Sequence, residues 1–330
     1  MILSILREAR SWLRPLLVAL FEPGIAWALR WRLLILQPTV FITYSIGKVP
    51  YLFSRPFTVE YLLISPERPH VRVLVFKSEV AAGTGRGLRP LHVDIHGGAF
   101  IGGLPENFAP FCSRVAKETG AVVVSITYRY APEHTFPVAI DDVDATIRWM
   151  RDHAQERWGA DPTLMTISGS SAGANLAFAA MQQPECHGPS PTAIKASASF
   201  YAVMEQRISP WEKPRPAKMP KSDPTAVLMP LFDAYPAKAR RAHMNDPRLS
   251  PVLANRETLP RRMLMVIAAI DILVEEQMSL VERVREEDLR DSSMEGQQRI
   301  GVVVEEDGFH GYLEREYLIS NMADHHTVCV

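Results

Sequence analysis

Leu164-Met165-Thr166-Ile167 leads through Ser168 into Gly169-Ser170-Ser171-Ala172-Gly173, and a helix-compatible run from Ala174 to Met181 follows. The five central residues fit G-x-S-x-G. Strand, sharp turn and helix in that order lift a serine hydroxyl clear of the top of a sheet, where it can act as a nucleophile. Gly169 and Gly173 leave room for the bend, and Ala172 supplies a small residue with a free N–H. An ordinary Gly/Ser/Ala-rich turn would give the same five residues, so the weight falls on what else the chain provides.

Upstream, Leu91-His92-Val93-Asp94-Ile95 reads as a strand that runs into His96-Gly97-Gly98-Ala99-Phe100. A His-Gly-Gly loop at a strand end presents backbone N–H groups to a ligand. Gly97, Gly98 and Ala99, with Ala172, are the candidate donors to an oxyanion. Pre-aimed donors of this kind are worth about 2.7–4 kcal/mol each in a transition state. A plain glycine turn between two elements is the alternative, weakened by the G-x-S-x-G downstream.

A nucleophilic serine needs a base, and the base needs an acid to orient it. Met263 to Ile270 is a continuous apolar run that reads as a buried strand ending at Asp271. Arg299 to Val304 reads as another strand, followed by a loop from Glu305 to Gly311 that contains His310. Asp271 and His310 then both lie at C-terminal strand ends, the edge where open α/β sheets place their sites. His325 and His326 sit in a polar tail, His92 lies within a strand, and Asp288 and Asp291 occupy a charged stretch that reads as wet surface. Glu306 and Asp307 stay open as the acid because they are close to His310 in sequence. Asp271 is preferred on the strand-end argument.

Four blocks together resemble the hormone-sensitive lipase family of α/β-hydrolases, also called α/β-hydrolase fold-3. They are His96 to Phe100; Tyr128-Arg129-Tyr130-Ala131-Pro132-Glu133-His134 with Phe136-Pro137 and Asp141-Asp142; Gly169 to Gly173 with Asn175-Leu176-Ala177; and Ser250-Pro251-Val252-Leu253-Ala254 with Leu259-Pro260, Asp271-Ile272-Leu273 and Phe309-His310-Gly311. The match covers roughly residues 70 to 320. The resemblance implies an α/β-hydrolase fold: an eight-stranded, mostly parallel sheet with helices on both faces and a helical cap. It implies ester hydrolysis by Ser171, Asp271 and His310, with Tyr128 to Glu133 bracing the oxyanion loop. Ala99 stands where the family has a third glycine, so the hole requires Ala99 to adopt glycine-like angles. Ser170 replaces a common acidic residue, Ala174 a common glycine and Ile272 a common proline. The interval from Asp271 to His310 is long, and Asp288 to Gln298 reads as an inserted polar loop. A plant hormone receptor of this family lacks the histidine. Retention of His310 argues against a purely receptor-like role.

At 330 residues, with 47% hydrophobic residues, the chain can fill one large core. A net charge of −1 gives no electrostatic case for nucleic acid. Cys112, Cys186 and Cys329 form neither a disulfide framework nor a metal spacing, which reads as a reducing, cytoplasmic setting; hydrolysis by a serine triad needs no metal or organic cofactor. Gly83 to Gly87 lacks the G-K-[ST] ending of a phosphate loop and reads as a connection between strands.

Residues 1–53 are rich in Leu, Ile, Trp and Phe, interrupted by Arg7, Arg10, Arg14, Arg30 and Arg32. The longest charge-free run, Leu33 to Gly47, contains Pro38 and falls short of the ~20 residues of a spanning helix. Arg7 and Glu8 come too early for a usual signal peptide. Three readings stand: half of a cap over the site, a segment lying on a membrane surface, or a distorted anchor. Residues 54–330 then form the catalytic domain, with a proline-dense cap insertion at 205–245 after a strand over Ala193 to Ala202. Trp211, Met219, Met229, Phe232 and Tyr235 either line an apolar pocket there or pack against the main domain.

The chain therefore reads as a serine hydrolase of a small apolar or natural-product ester. It takes a small-molecule partner and no nucleic acid, and both a homodimer and peripheral membrane contact through residues 1–53 are admitted. Two other classes stay open: a biosynthetic enzyme of the same fold that deacylates or cyclises a secondary metabolite, as in fungal members that the N-terminus and cap resemble, and a small-molecule binder without turnover.

Overall fold

The computed structural model describes residues 8–64, 70–78, 87–220, 226–291 and 298–313. Eight strands form one sheet in the order β1-β2-β4-β3-β5-β6-β7-β8. They are β1 (Thr58–Leu62), β2 (Val71–Phe76), β3 (Arg89–Ile95), β4 (Val122–Ile126), β5 (Ala160–Ser170), β6 (Ala196–Phe200), β7 (Met263–Ile270) and β8 (Ile300–Phe309). β2 is antiparallel to β1 and β4, and every other neighbouring pair is parallel. The principal helices are α1 (Arg14–Phe21), α2 (Trp27–Lys48), α3 (Ala109–Thr119), α4 (Val138–Trp158), α5 (Ala172–Met181) and α6 (Val274–Leu289).

Burial on both faces explains why the inner strands read as unbroken apolar runs rather than alternating ones. In β7, Met263, Met265 and Ile267 face the core shared with α4, α5 and α6, while Val266 and Ala268 face the core shared with α3. β3 departs from this. Leu91, Val93 and Ile95 are apolar on one face, but His92 and Asp94 occupy the other and are buried. Hydroxyls satisfy them: His92 lies 2.8 Å from Thr166 Oγ1 and 2.9 Å from Ser168 Oγ, and Asp94 accepts from Ser125 and Ser168, each at 2.8 Å. Burial pushes the His92 imidazole down to about 4 and raises the Asp94 carboxyl. His92 is thus a neutral core group.

Two expectations need correction. β8 does not end at Val304 but runs to Phe309, so most of the expected loop is strand. Its pairing with β7 goes from Ala268–Glu305 to Ile270–Phe309, which places two extra residues on β8. β8 is an edge strand whose Glu305, Glu306 and Asp307 are exposed, so apolar patterning could not reveal it. Nor is Asp288 surface or loop: it is buried in the last turn of α6, 2.9 Å from Arg256 and 3.2 Å from Arg299. Gly83 to Arg86, His325, His326 and Cys329 lie outside the described residues.

The order of strands reverses at β3. The crevice beyond the C-terminal ends of β3 and β5 is the topological switch point, where sheets of this kind bind ligands. α1 and α2 lie at that edge. Within 205–245, the described helices are short 3₁₀ turns and one turn at Met229–Phe232, as the density of proline requires. α2 packs on that turn and on the 3₁₀ turn Ala226–Leu228.

Candidate active site

β5 delivers Ser171 to the switch point. Its φ of 52° and ψ of −119° give the strained bend between β5 and α5. The backbone is so close there that larger residues would not fit. A Cβ on Gly173 would sit 2.0 Å from the Ile95 carbonyl oxygen, and one on Gly169 would sit 2.5 Å from that of Gly173. The Ser171 N–H donates to Phe200 O at 2.9 Å and ties the bend to the end of β6.

β7 and β8 bring the other two groups. Ser171 Oγ is 2.9 Å from His310 Nε2, and His310 Nδ1 is 2.7 Å from Asp271 Oδ2. Asp271 is 3% exposed and its second oxygen accepts from the Leu273 N–H at 3.1 Å. A carboxylate so placed accepts from Nδ1–H, which leaves Nε2 unprotonated and facing the serine. The His310 side chain is 43% exposed, so its proton exchanges with solvent. The buried ring of Tyr201 meets His310 edge-on, 5.1 Å between centroids. Glu306 and Asp307 point into solvent, 3.2 and 4.0 Å from Lys218, and do not pair with the imidazole among the described contacts.

β3 delivers the loop His96 to Phe100. A Cβ on Gly97 would fall 3.2 Å from Ser171 Cβ, so this backbone lies directly against the nucleophile. Gly98 has φ 121°, and a side chain there would meet Gly102 O at 2.3 Å. Ala99 has φ 52°, so it does take the left-handed angles, at a cost of about 1–2 kcal/mol. His96 sets the direction of the loop. Burial drives its imidazole down to about 4, so it is neutral. A carbonyl only accepts, so Nδ1 carries the proton and donates to Gly97 O at 2.7 Å, while Nε2 accepts from the Tyr130 hydroxyl at 3.2 Å. The peptide plane then turns the Gly98 N–H away from the ring. Tyr128 stacks on His96 and donates to its carbonyl at 3.1 Å, and the Ala131 N–H donates to Phe100 O at 2.8 Å. Ala172 is the first residue of α5, where N–H groups lack intrahelical partners.

The structure thus brings together Ser171, Asp271, His310, Gly97, Gly98, Ala99 and Ala172. Other contributors were not legible as such. Arg14 of α1 forks to the carbonyls of Ile101 (2.8 Å), Tyr130 (3.1 Å) and Ala131 (2.9 Å) and pairs with Glu133 at 2.5 Å. The one signal was its interruption of an apolar run. Glu276 and Lys213 form a buried pair at 2.5 Å, and Glu276 also accepts from the N–H groups of Met204 and Glu205. Burial raises the Glu276 carboxyl. This pair anchors the excursion after β6.

A cavity of about 330 Å³ opens beside Ile272, the neighbour of Asp271. Trp211, Met229 and Pro230 line it together with Arg32 and Lys213. Of the five residues considered for an apolar pocket, Trp211 and Met229 reach it. Tyr235 instead stacks on Phe100 at 4.2 Å and packs in the core. Among the described residues, no group of His, Cys, Asp and Glu is arranged to hold a metal.

A family model described as alpha/beta hydrolase fold matches residues 92–312, about two thirds of the chain. The chain belongs to the α/β-hydrolases. Within them it falls in the hormone-sensitive-lipase-like family. Its relatives include the carboxylic ester hydrolase LipN of Mycobacterium tuberculosis, 36% identical over 30% of this chain and 26% of that one. The probable carboxylic ester hydrolase LipM of the same organism is 32% identical over 46% and 37%. The chain spans about a fifth to somewhat over a third of the length of the curated relatives it matches. In fold it is similar to carboxyl esterase 2 of the fungus Tuber melanosporum, with a TM-score of 0.64, 21% identity and coverage of 82% and 83%. An α/β-hydrolase from the metagenome of Lake Arreo gives a TM-score of 0.67, 24% identity and coverage of 87% and 84%.

Proposed function

We propose that this α/β-hydrolase cleaves carboxylic esters through an acyl-enzyme on Ser171. The observation that carries the reading is the continuous relay Ser171–His310–Asp271, with both hydrogen bonds formed beside a loop of backbone donors. His310 Nε2 takes the Ser171 proton as Oγ attacks the ester carbon. Asp271 holds the tautomer and stabilises the imidazolium. The N–H groups of the Gly97 to Ala99 loop and of Ala172 take the oxyanion charge. His310 then protonates the departing alcohol, and water enters through the exposed imidazole side to clear the acyl group. The chemistry uses no group beyond the protein and water.

The cavity beside Ile272 mixes the apolar residues Trp211, Met229, Pro230 and Ile272 with the cations Arg32, Lys213 and Arg215, and its volume supports a ligand of modest size. N-terminal helices and the 205–245 excursion together act as the cap that limits access. Relatives named as ester hydrolases support the same reaction class.

The test is turnover of p-nitrophenyl acyl esters together with labelling by a fluorophosphonate. Wild type is expected to hydrolyse the ester and label at Ser171, and Ser171→Ala to lose both while keeping its circular dichroism. Binding without label or turnover would make the protein a receptor. Turnover retained by Ser171→Ala would remove the assignment.

A further inference from the structure

α2 carries apolar side chains on its outer as well as its inner side. Leu33, Leu36 and Tyr44 face inward and are buried, but Trp27, Leu34, Ile35, Phe41, Ile42 and Ile46 face outward. An apolar stripe of this size on the outside of a helix belongs against a core or lipid. Here only 11% of its most apolar window is buried. The stripe is about 33 Å long. It continues past the helix through Leu52 to Phe53, which is 98% exposed, and is joined by Phe21 of α1. The exposed side chains present on the order of 1,000 Å² of apolar surface, against the few hundred that monomers leave uncovered.

The inner stripe is fastened to the domain. Tyr44 donates to Gly103 O at 3.3 Å, Arg32 to Val227 O at 2.7 Å, and Gln37 to Trp12 O at 2.8 Å. A helix held lengthwise against the domain cannot also cross a bilayer. It can lie flat on one. The charge of the segment favours an anionic surface: residues 1–56 hold seven Arg and Lys against two Glu, and although Arg14 pairs with Glu133 and Lys48 with Glu8, Arg10 and Arg55 stay exposed. Two copies placed face to face would bring these cations together, whereas anionic headgroups complement them. Trp27 and Trp31 sit on the same helix, with the Arg32 guanidinium 4.2 Å over the Trp31 ring, a pairing suited to the boundary between acyl chains and headgroups.

We propose that the outer face of α2 docks the protein flat on an anionic phospholipid surface. Vesicle flotation tests this, with phosphatidylcholine alone and with phosphatidylcholine containing phosphatidylserine. Wild type is expected to float with the anionic vesicles and at least tenfold less with the neutral ones. Trp27→Gln/Phe41→Gln/Ile42→Gln is expected to lose at least tenfold in vesicle binding. Its targets are exposed, so its circular dichroism and turnover of a soluble p-nitrophenyl ester are expected to remain those of wild type. Arg10→Glu/Arg55→Glu provides a second route, lowering the preference for anionic vesicles without altering the apolar stripe. No flotation of wild type, equal flotation of wild type and the triple variant, or a dimer in light scattering that the triple variant converts to monomer would each overturn the proposal.

Discussion

Truncating Arg14 to alanine tests whether the N-terminal helices are part of the catalytic architecture. The guanidinium donates to three carbonyls on two separate segments, Ile101 beside the oxyanion loop and Tyr130 and Ala131 beneath it, and pairs with Glu133. The Arg14 and Glu133 side chains are 16% and 14% exposed, so water replaces little of what is lost. Hydrogen bonds from a charged group contribute about 1.5–3 kcal/mol each. Removing one partner of a buried pair costs about 3–5 kcal/mol. The two figures describe the same guanidinium and do not add. Partial re-entry of water lowers them further, so the expected loss is about 3 kcal/mol. At about 2 cal/mol/K of unfolding entropy per residue, that lowers the melting temperature by about 4–5 °C. Because Ala131 N–H holds Phe100 O, the loop also loosens, and kcat for a soluble ester is expected to fall about tenfold. Arg14→Lys keeps the ion pair but cannot fork to three carbonyls, and is expected to recover about half the stability. Arg14→Met/Glu133→Gln removes the stranded carboxylate and is expected to be more stable than Arg14→Met alone, with a coupling of at least about 1 kcal/mol. Calorimetry and steady-state kinetics read both effects. A melting temperature within 1 °C of wild type (about 0.7 kcal/mol on the same scale) with unchanged kcat would refute the docking of α1 on this loop.

Two further perturbations act on other parts of the molecule. Gly173→Ala forces a methyl to within 2.0 Å of Ile95 O, a backbone atom that cannot rotate away, so soluble expression or ester turnover is expected to fall by at least two orders of magnitude, and wild-type activity would contradict the bend as described. Asp144 is buried, and desolvation raises its carboxyl from 3.8 to about 7. The folded state therefore keeps a proton that the unfolded state releases, so this group's contribution to stability is intact below about pH 4 and is lost as pH rises to about 7. Asp144→Asn is expected to abolish that decline, up to about 4 kcal/mol between the unfolding free energies from urea titrations at the two ends, and parallel pH slopes for variant and wild type would refute it.

What the sequence revealed depends on how local the physics is. The bend at Ser171 needs glycines two residues to either side, and the crowding that demands them is internal to one strand, one turn and one helix. Such a feature leaves a short, readable pattern. β7 was equally plain because burial on both faces demands an unbroken apolar run. Asp271 followed as the residue on which that run ends. His310 came from the same logic even though the strand before it was read five residues short. An edge strand owes its hydrogen bonds to one neighbour and its side chains largely to water, so Glu305 to Asp307 carried no strand signal.

The residues that hold the site in place share a different property: each acts through partners far away in the chain. Arg14 meets carbonyls 87 to 117 residues distant, and Lys213 meets Glu276 across 63. A buried charge is tolerable only when such partners converge on it, and a single sequence contains no trace of that convergence. Asp288 shows the consequence. In isolation it is one acidic residue in a charged stretch, which favours a reading as solvated surface. In the fold Arg256 and Arg299 enclose it, and Arg299 also donates to Leu259 O at 2.8 Å. The ion pair thereby links the end of α6, the approach to β7 and the start of β8. These are the two strands whose ends carry Asp271 and His310, so a charge misread as surface fixes the spacing on which the relay depends.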